Sequence, residues 1–249
     1  MKRAALLVGL FLSLRVAPCV ADELPAAESH EHADPRLARG FTALARPMLS
    51  AELGVGWLTL PGASVCAERS SGQGCKSGDT SFALDVWQIY RSGRRFAFGA
   101  GLLLGLIPTT DAPRHDPDEI VRDHSRSYLT LEGTIRHYPY VGESVELWWG
   151  LSGGLAVVGD RFVVSDKNSD LALVGQRGST LRTEGAALGL LGGAAFYLGH
   201  RWSLGATFRY ANWFLPTTPK KDPFLDEASL TGRNTVFSLG ISLAYRIPL

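Results

Sequence analysis

The segment Asp123-His124-Ser125-Arg126-Ser127 sets an imidazole among two hydroxyls and a carboxylate, the residue types from which a Ser–His–acid hydrolase is assembled. His115 and the acids Asp111, Asp116, Asp118 and Glu119 stand close by in the chain. The same composition describes a solvated acidic loop that touches divalent cations, and this reading takes precedence over catalysis. Asp166-Lys167-Asn168-Ser169-Asp170 starts like a calcium loop, but Leu171 replaces the required Gly and Arg177 stands where the bidentate Glu belongs. No Gly-rich segment leads into a helix, so no phosphate cradle forms. The remaining histidines, His30, His32, His137 and His200, are scattered, and no metal or cofactor is implied.

Those residues have to be positioned, and the N-terminus says in which compartment. Lys2 and Arg3, an apolar stretch from Ala4 to Leu14 and the small residues Cys19 and Ala21 compose a secretory signal peptide over residues 1–21. The stretch is too short to span a bilayer, and Pro18 before Cys19 disfavours a lipidated cysteine. Loss of Lys2, Arg3 and Arg15 leaves a mature chain of net charge minus two, which announces no nucleic-acid partner. In an oxidising compartment Cys66 and Cys75, the cysteines that survive cleavage, read as one disulfide stapling a short Ser/Gly-rich stretch.

Composition narrows the architecture. Glycine makes up 28 of 249 residues, about 11% against roughly 7% in average proteins. A mean hydropathy of +0.05 excludes a bundle of long apolar membrane helices. After a polar lead over residues 22–44, apolar segments of about ten residues alternate with period two, the signature of strands. Phe237, Leu239, Ile241, Leu243, Tyr245, Ile247 and Leu249 share one face, with Ser238, Gly240, Ser242, Ala244 and Arg246 on the other. The same split marks Leu49 to Leu60, Phe82 to Tyr90, Tyr128 to Tyr138, Leu147 to Val157 and Trp202 to Phe214. Phe96 to Ile107 and Ala186 to Leu198 are apolar on both faces, but five glycines from Gly185 to Gly199 argue against a helix there.

The connections sort by length. Arg91 to Arg95, Val141 to Val145 and Gly199 to Arg201 are tight, whereas Pro61 to Ser81, Pro108 to Ser127, Gly159 to Thr183 and Leu215 to Asn234 are long and polar. Strict alternation of short and long is the pattern of an up-and-down outer-membrane barrel with short periplasmic turns and long extracellular loops. Aromatics gather at strand ends as two girdles. The expected periplasmic girdle includes Tyr138, Trp148, Trp149 and Trp202, and the outer one Trp57, Phe82, Tyr128, Trp213 and Phe237. On these features, and above all on its alternating C-terminal strand, the chain resembles the small eight-stranded outer-membrane barrels of the OmpA transmembrane-domain, OmpX and OmpW types. The resemblance covers nearly all of the mature length. It implies that the row Phe237, Leu239, Ile241, Leu243, Tyr245, Ile247 and Leu249 is the signal read by the barrel-assembly machinery, although this chain ends in Pro248 and Leu249 rather than an aromatic.

The fold expected is therefore all-β: an eight-stranded antiparallel up-and-down transmembrane barrel over residues 45–249, monomeric, in the outer membrane, touching lipid and lipopolysaccharide. Its interior is too narrow for a porin channel. The inward charges Glu52, Asp85 and Glu132 face Arg136, Arg209 and Arg246, and read as a compensated ion-pair network rather than a gated proton or ion path. The role expected is non-enzymatic: structural, adhesive or small-solute handling at the surface. The alternatives are a lipid A deacylase or acyltransferase with a rim site at Asp123, His124, Ser125 and Ser127, and a soluble periplasmic barrel binding an apolar ligand. The deacylase motif has Ser two positions after His, where this chain has Arg126. Lys220, Lys221 and Arg233 in the last long loop stand where lipid phosphates would be met.

Overall fold

The computed structural model describes residues 47–66, 75–111, 122–164, 178–221 and 226–249. The expected signal peptide (1–21) and polar lead (22–44), with His30, His32, His115, Asp116, Asp118, Glu119 and the stretch Asp166 to Asp170, lie outside the described residues. Among the described residues the regular elements are all strands: β1 (Met48–Cys66), β2 (Cys75–Arg91), β3 (Phe96–Gly105), β4 (Thr109–Asp111), β5 (Arg122–Val141), β6 (Val145–Val164), β7 (Gly178–Tyr197), β8 (Trp202–Phe214) and β9 (Arg233–Pro248). They form one antiparallel sheet in the order β3-β2-β1-β9-β8-β7-β6-β5-β4. β3 also pairs with β5, from Phe96 opposite His137 to Leu104 opposite Leu129, so the circuit of paired strands returns to its start. β4 pairs with the outer part of β5 and carries on the line of β3 beyond Leu106 to Pro108. A closed circuit of eight staves leaves no free edge, the condition for a sheet to cross a bilayer.

The two stretches that were apolar on both faces, within β3 and β7, are strands. The long connections are shorter than the sequence pattern suggests. β1 and β2 stay paired to Cys66 and Cys75, and β5, β6 and β7 extend to Arg122, Val164 and Gly178, so much of the expected loop is ladder. Period-two hydropathy marks a strand where one face meets apolar surroundings, and these extensions are polar on their outer face. Cys66 and Cys75 stand opposite each other and are joined by the disulfide, which closes the tip of the β1–β2 hairpin.

The outward face is apolar and uncovered. Trp57 and Ile241 are each 60% exposed, and Leu53, Leu131, Leu151, Leu188 and Leu239 are similarly bare. The continuous apolar row ends at Trp57 on β1, Phe82 on β2, Leu129 on β5, Val157 on β6, Leu188 on β7, Phe214 on β8 and Phe237 on β9, with Val163 standing apart beyond Arg161. A soluble barrel would hide this row, whereas lipid covers it without cost. The fold and the band together are those of an outer-membrane barrel, and they set aside the soluble ligand-binding alternative.

The lumen is narrow enough to depend on glycine. At Gly154 a Cβ would lie 2.0 Å from the carbonyl oxygen of Leu131 on the neighbouring strand, so a side chain there would push the staves apart. Two apolar plugs fill the lumen. Leu58, Leu60, Leu103, Tyr128, Trp213, Leu230 and Val236 pack together in the outer half, and Trp87, Ile89, Tyr138, Trp148 and Leu191 near the periplasmic turns. Tyr128, Trp213, Tyr138 and Trp148, expected in the girdles, therefore face inward. Phe96, Phe98, Trp149, Phe196 and Trp202 do point outward at the periplasmic end.

Candidate functional site: two buried charge clusters

Just beyond the outer end of the apolar band, Arg126 of β5 is fully buried and gathers three carboxylates from three strands. Its guanidinium makes a very short ion pair with Asp111 of β4 and a 3.1 Å pair with Asp79 of β2. Its Nε donates to Ser229 Oγ at 2.7 Å, and Nη2 reaches the Ser64 carbonyl at 3.3 Å. Asp79 is also held by Thr109 Oγ1 (2.7 Å) and by the Tyr128 hydroxyl, and Asp111 accepts the Cys66 N–H (2.7 Å). Alternation along β5 makes this possible: His124, Arg126 and Tyr128 share parity and all point into the lumen.

His124 lies in the same cluster, 2% exposed, and is not in a solvated loop. Its ring stacks on Phe162 at 4.4 Å, and Nε2 bonds Asp160 Oδ1 of β6 at 2.8 Å. Nδ1 has no hydrogen-bond partner and stands 3.9 Å from Asp111 Oδ2. Asp160 further accepts the hydroxyl and the N–H of Ser229. Burial alone would raise the Asp160 carboxyl, but the bonds from His124 and Ser229 outweigh it and hold the group below the usual carboxylate range.

The rim catalytic set does not assemble. Asp123, Ser125 and Ser127 have the opposite parity to His124 and lie on the outer wall, so none can share a proton with the imidazole. Ser229, the serine that the fold does bring in, was not visible as a candidate because it is remote in sequence. It donates to Asp160 and receives from Arg126, while His124 binds that same carboxylate. A nucleophile needs its hydroxyl on the base; here serine and histidine share an acid instead. With every member nearly inaccessible, the arrangement acts as a lock between strands and the last outer connection.

The second cluster lies at the periplasmic end. Glu146 of β6 accepts Arg91 (2.7 Å), Arg246 (2.8 Å) and the Tyr197 hydroxyl (2.6 Å). Arg136 pairs with Glu52 at 2.9 Å; nearer the middle of the barrel, outside this cluster, Arg209 pairs with Glu132 in a very short contact. Arg91 sits 3.9 Å over Tyr138, Arg136 4.0 Å over Trp148 and Arg246 4.2 Å over Tyr197. Of the six inward charges expected to balance, four are thus mutual partners. Arg246 turns instead to Glu146, which the sequence pattern did not single out, and Asp85 has no ion pair among the described residues. Asp85 packs over Gly54, where a Cβ would lie 2.1 Å from its Oδ1. Two small spaces beside these groups, one lined by Asp85, Thr207 and Arg209 and one by Glu52, Arg136 and Glu146, are about 20 Å³ each, room for roughly one water.

No family model and no curated relative matches the chain. Solved structures do. A major outer membrane protein from Thermus thermophilus is 14% identical, with a TM-score of 0.54, over 81% of this chain and 99% of that one. Neisserial surface protein A is 9% identical (TM-score 0.47; 80% and 96% covered), and the attachment invasion locus protein of Yersinia pestis 13% (0.43; 80% and 99%). At such identities the likeness concerns the fold: this chain has the architecture of the small outer-membrane β-barrels.

Proposed function

We propose that the protein is a non-enzymatic outer-membrane barrel whose lumen is sealed, and that its role is structural or adhesive, carried by strand extensions that rise beyond the lipid. The observation that carries this reading is the double plug. Apolar side chains fill the outer half, arginines stacked on aromatics fill the periplasmic half, and the two small spaces beside the charges have room for about one water each. A solute pathway would need these layers to separate, which would strip Glu146, Asp79 and Asp111 of their partners. Small-solute handling is the least supported of the three surface roles. Adhesive display is favoured by the extensions, since a hairpin tip tied by Cys66–Cys75 and paired strands β5 to β7 present residues with little conformational freedom.

Planar-bilayer recording on the refolded, heat-modifiable protein tests the sealed lumen. A flat baseline is expected across the accessible voltage range. Stable, reproducible conductance steps would overturn the reading and restore a transport role.

A further inference from the structure

Beyond the apolar band, the described outer wall gathers its arginines on one side. On β6, β7 and β9 the outward positions farther from the lipid than Val157, Leu188 and Phe237 carry Arg161, Arg182 and Arg233, all exposed, with Gly159 on β6, Ala186 and Glu184 on β7 and Thr235 on β9 lying between them and the apolar row. On β1, β2 and β5 the outward positions beyond the row carry Thr59, Thr80, Ser127 and Ser125, with Lys76 near the tip of β2 and Asp123 near the end of β5 as the charges there. Arg161 faces Thr180 and Arg182 faces Gly159 across the β6–β7 ladder, so the two guanidinium groups are diagonal neighbours on one face. Neither has an ion-pair partner among the described residues. Lys220 joins them from the last outer connection, its Nζ donating to the Arg182 carbonyl at 2.7 Å. Arg233 is steadied by Asn212 Oδ1 at 2.9 Å. Lys221 does not belong to the group, because it pairs with Glu227 at 2.6 Å. Glu184, two residues nearer the lipid on β7, is the outward acid of the same strand.

Like charges set side by side on a rigid ladder repel one another and persist where a polyanion neutralises them. Their position selects the kind of anion: nearer the lipid on the same two strands Leu155 and Leu188, each 58% exposed, offer a surface for acyl chains. We propose that Arg161, Arg182 and Lys220, flanked by Arg233, form a binding site for a phosphorylated glycolipid of the outer leaflet, with phosphates on the cations and acyl chains along β6 and β7. Guanidinium groups suit this ligand because their planar forks bind phosphate oxygens two at a time. The inference rests on the membrane-barrel reading and adds a headgroup chemistry and a side of the barrel to it.

The test uses the full folded protein in lipid nanodiscs, with native mass spectrometry reading retained lipid. Bis-phosphorylated lipid A, mono-phosphorylated lipid A and phosphatidylglycerol are the probes. Bis-phosphorylated lipid A should bind most tightly, and phosphatidylglycerol most weakly. Together Arg161→Gln, Arg182→Gln and Lys220→Gln should weaken lipid A binding about a hundredfold, roughly fivefold for each cation. Arg94→Gln with Arg95→Gln at the periplasmic turn should leave it unchanged, and Glu184→Gln should strengthen it. Equal binding of lipid A by the parent protein and the triple variant would overturn the site, as would parity between lipid A and phosphatidylglycerol. If the triple variant loses its mobility shift on boiling, Arg161→Gln and Arg182→Gln singly decide the question, with unchanged binding in both counting against the site. A protein that never enters the nanodiscs would instead contradict the membrane reading itself.

Discussion

The outer and periplasmic clusters solve the burial of charge in opposite ways. At the outer end one arginine, Arg126, and one histidine serve three carboxylates, Asp79, Asp111 and Asp160. At the periplasmic end three arginines, Arg91, Arg136 and Arg246, serve two, Glu52 and Glu146, and each guanidinium also lies on an aromatic ring. A ring face shares the cost of an extra cation, so the basic end tolerates an imbalance through packing. The acidic end has no such help. Its surplus is held by donors: Thr109, Tyr128, Ser229 and the Cys66 N–H. Two of these lie on the outer hairpin and the last connection, which ties the extracellular part of the protein to the barrel.

The largest expected effect breaks that difference. Arg126→Met leaves two buried carboxylates, Asp79 and Asp111, without their main cation and should cost about 3–5 kcal/mol. Arg136→Met strands Glu52 alone, beside Trp87 and Trp148, which can close over the methionine, and should cost clearly less. Urea titrations followed by the gel shift of the folded barrel compare the two, and equal losses would mean that the aromatic rings contribute nothing. Next comes the band separating the clusters from water. Ile241→Arg, at mid-row on β9, should cost roughly 2–4 kcal/mol where the face meets lipid, measured by the same titration.

A smaller effect concerns the hairpin tip. Reduction of Cys66–Cys75 releases a closure of nine residues, worth at most about 3 kcal/mol in the chain-entropy account. Because the bond lies beyond the lipid, hydrogen exchange should rise at residues 60–66 and 75–80 while Leu131 and Leu151 stay protected. Loss of protection along the whole barrel would show the tip and the wall to be one cooperative unit. The smallest effect is a pH dependence. The Asp160 carboxyl is held below its unfolded value of about 4, so its contribution is complete above that pH and is lost as pH falls through the folded value. Protection of the Ser229 amide should therefore decline in acid, and Asp160→Asn should flatten that decline.

Most of the wall was legible in the sequence because lipid and lumen impose period two on every stave. The outward row Leu147, Trp149, Leu151, Leu155 and Val157, and the row from Phe237 to Leu249, lie where alternation puts them. The plugs were not found because aromatics near strand ends fit a girdle as well as a lumen. Parity alone separates them: Trp149 follows the outward row and Trp148 the inward one, and Trp213 falls between Asn212 and Phe214, which face out. The acidic cluster was hidden for another reason. Above the lipid both faces of a strand are polar, so Asp79, Asp111, His124 and Asp160 carry no hydropathy signal, and Ser229 reaches them only through the closure of the barrel. Glu146, at the start of β6 beside a tight turn, lies outside the alternating segment that begins at Leu147, so period two did not single it out.

The central claim is that one face of each stave meets lipid while the other closes on a packed lumen, and a spin-label scan of β9 tests it most directly. Nitroxides placed singly at Leu239, Ile241 and Leu243 in liposomes should collide freely with oxygen and scarcely with a water-soluble nickel chelate. At Ser238 and Ser242 both collision rates should be low. High nickel accessibility at Leu239 and Ile241, or equal oxygen rates at all five positions, would contradict the account.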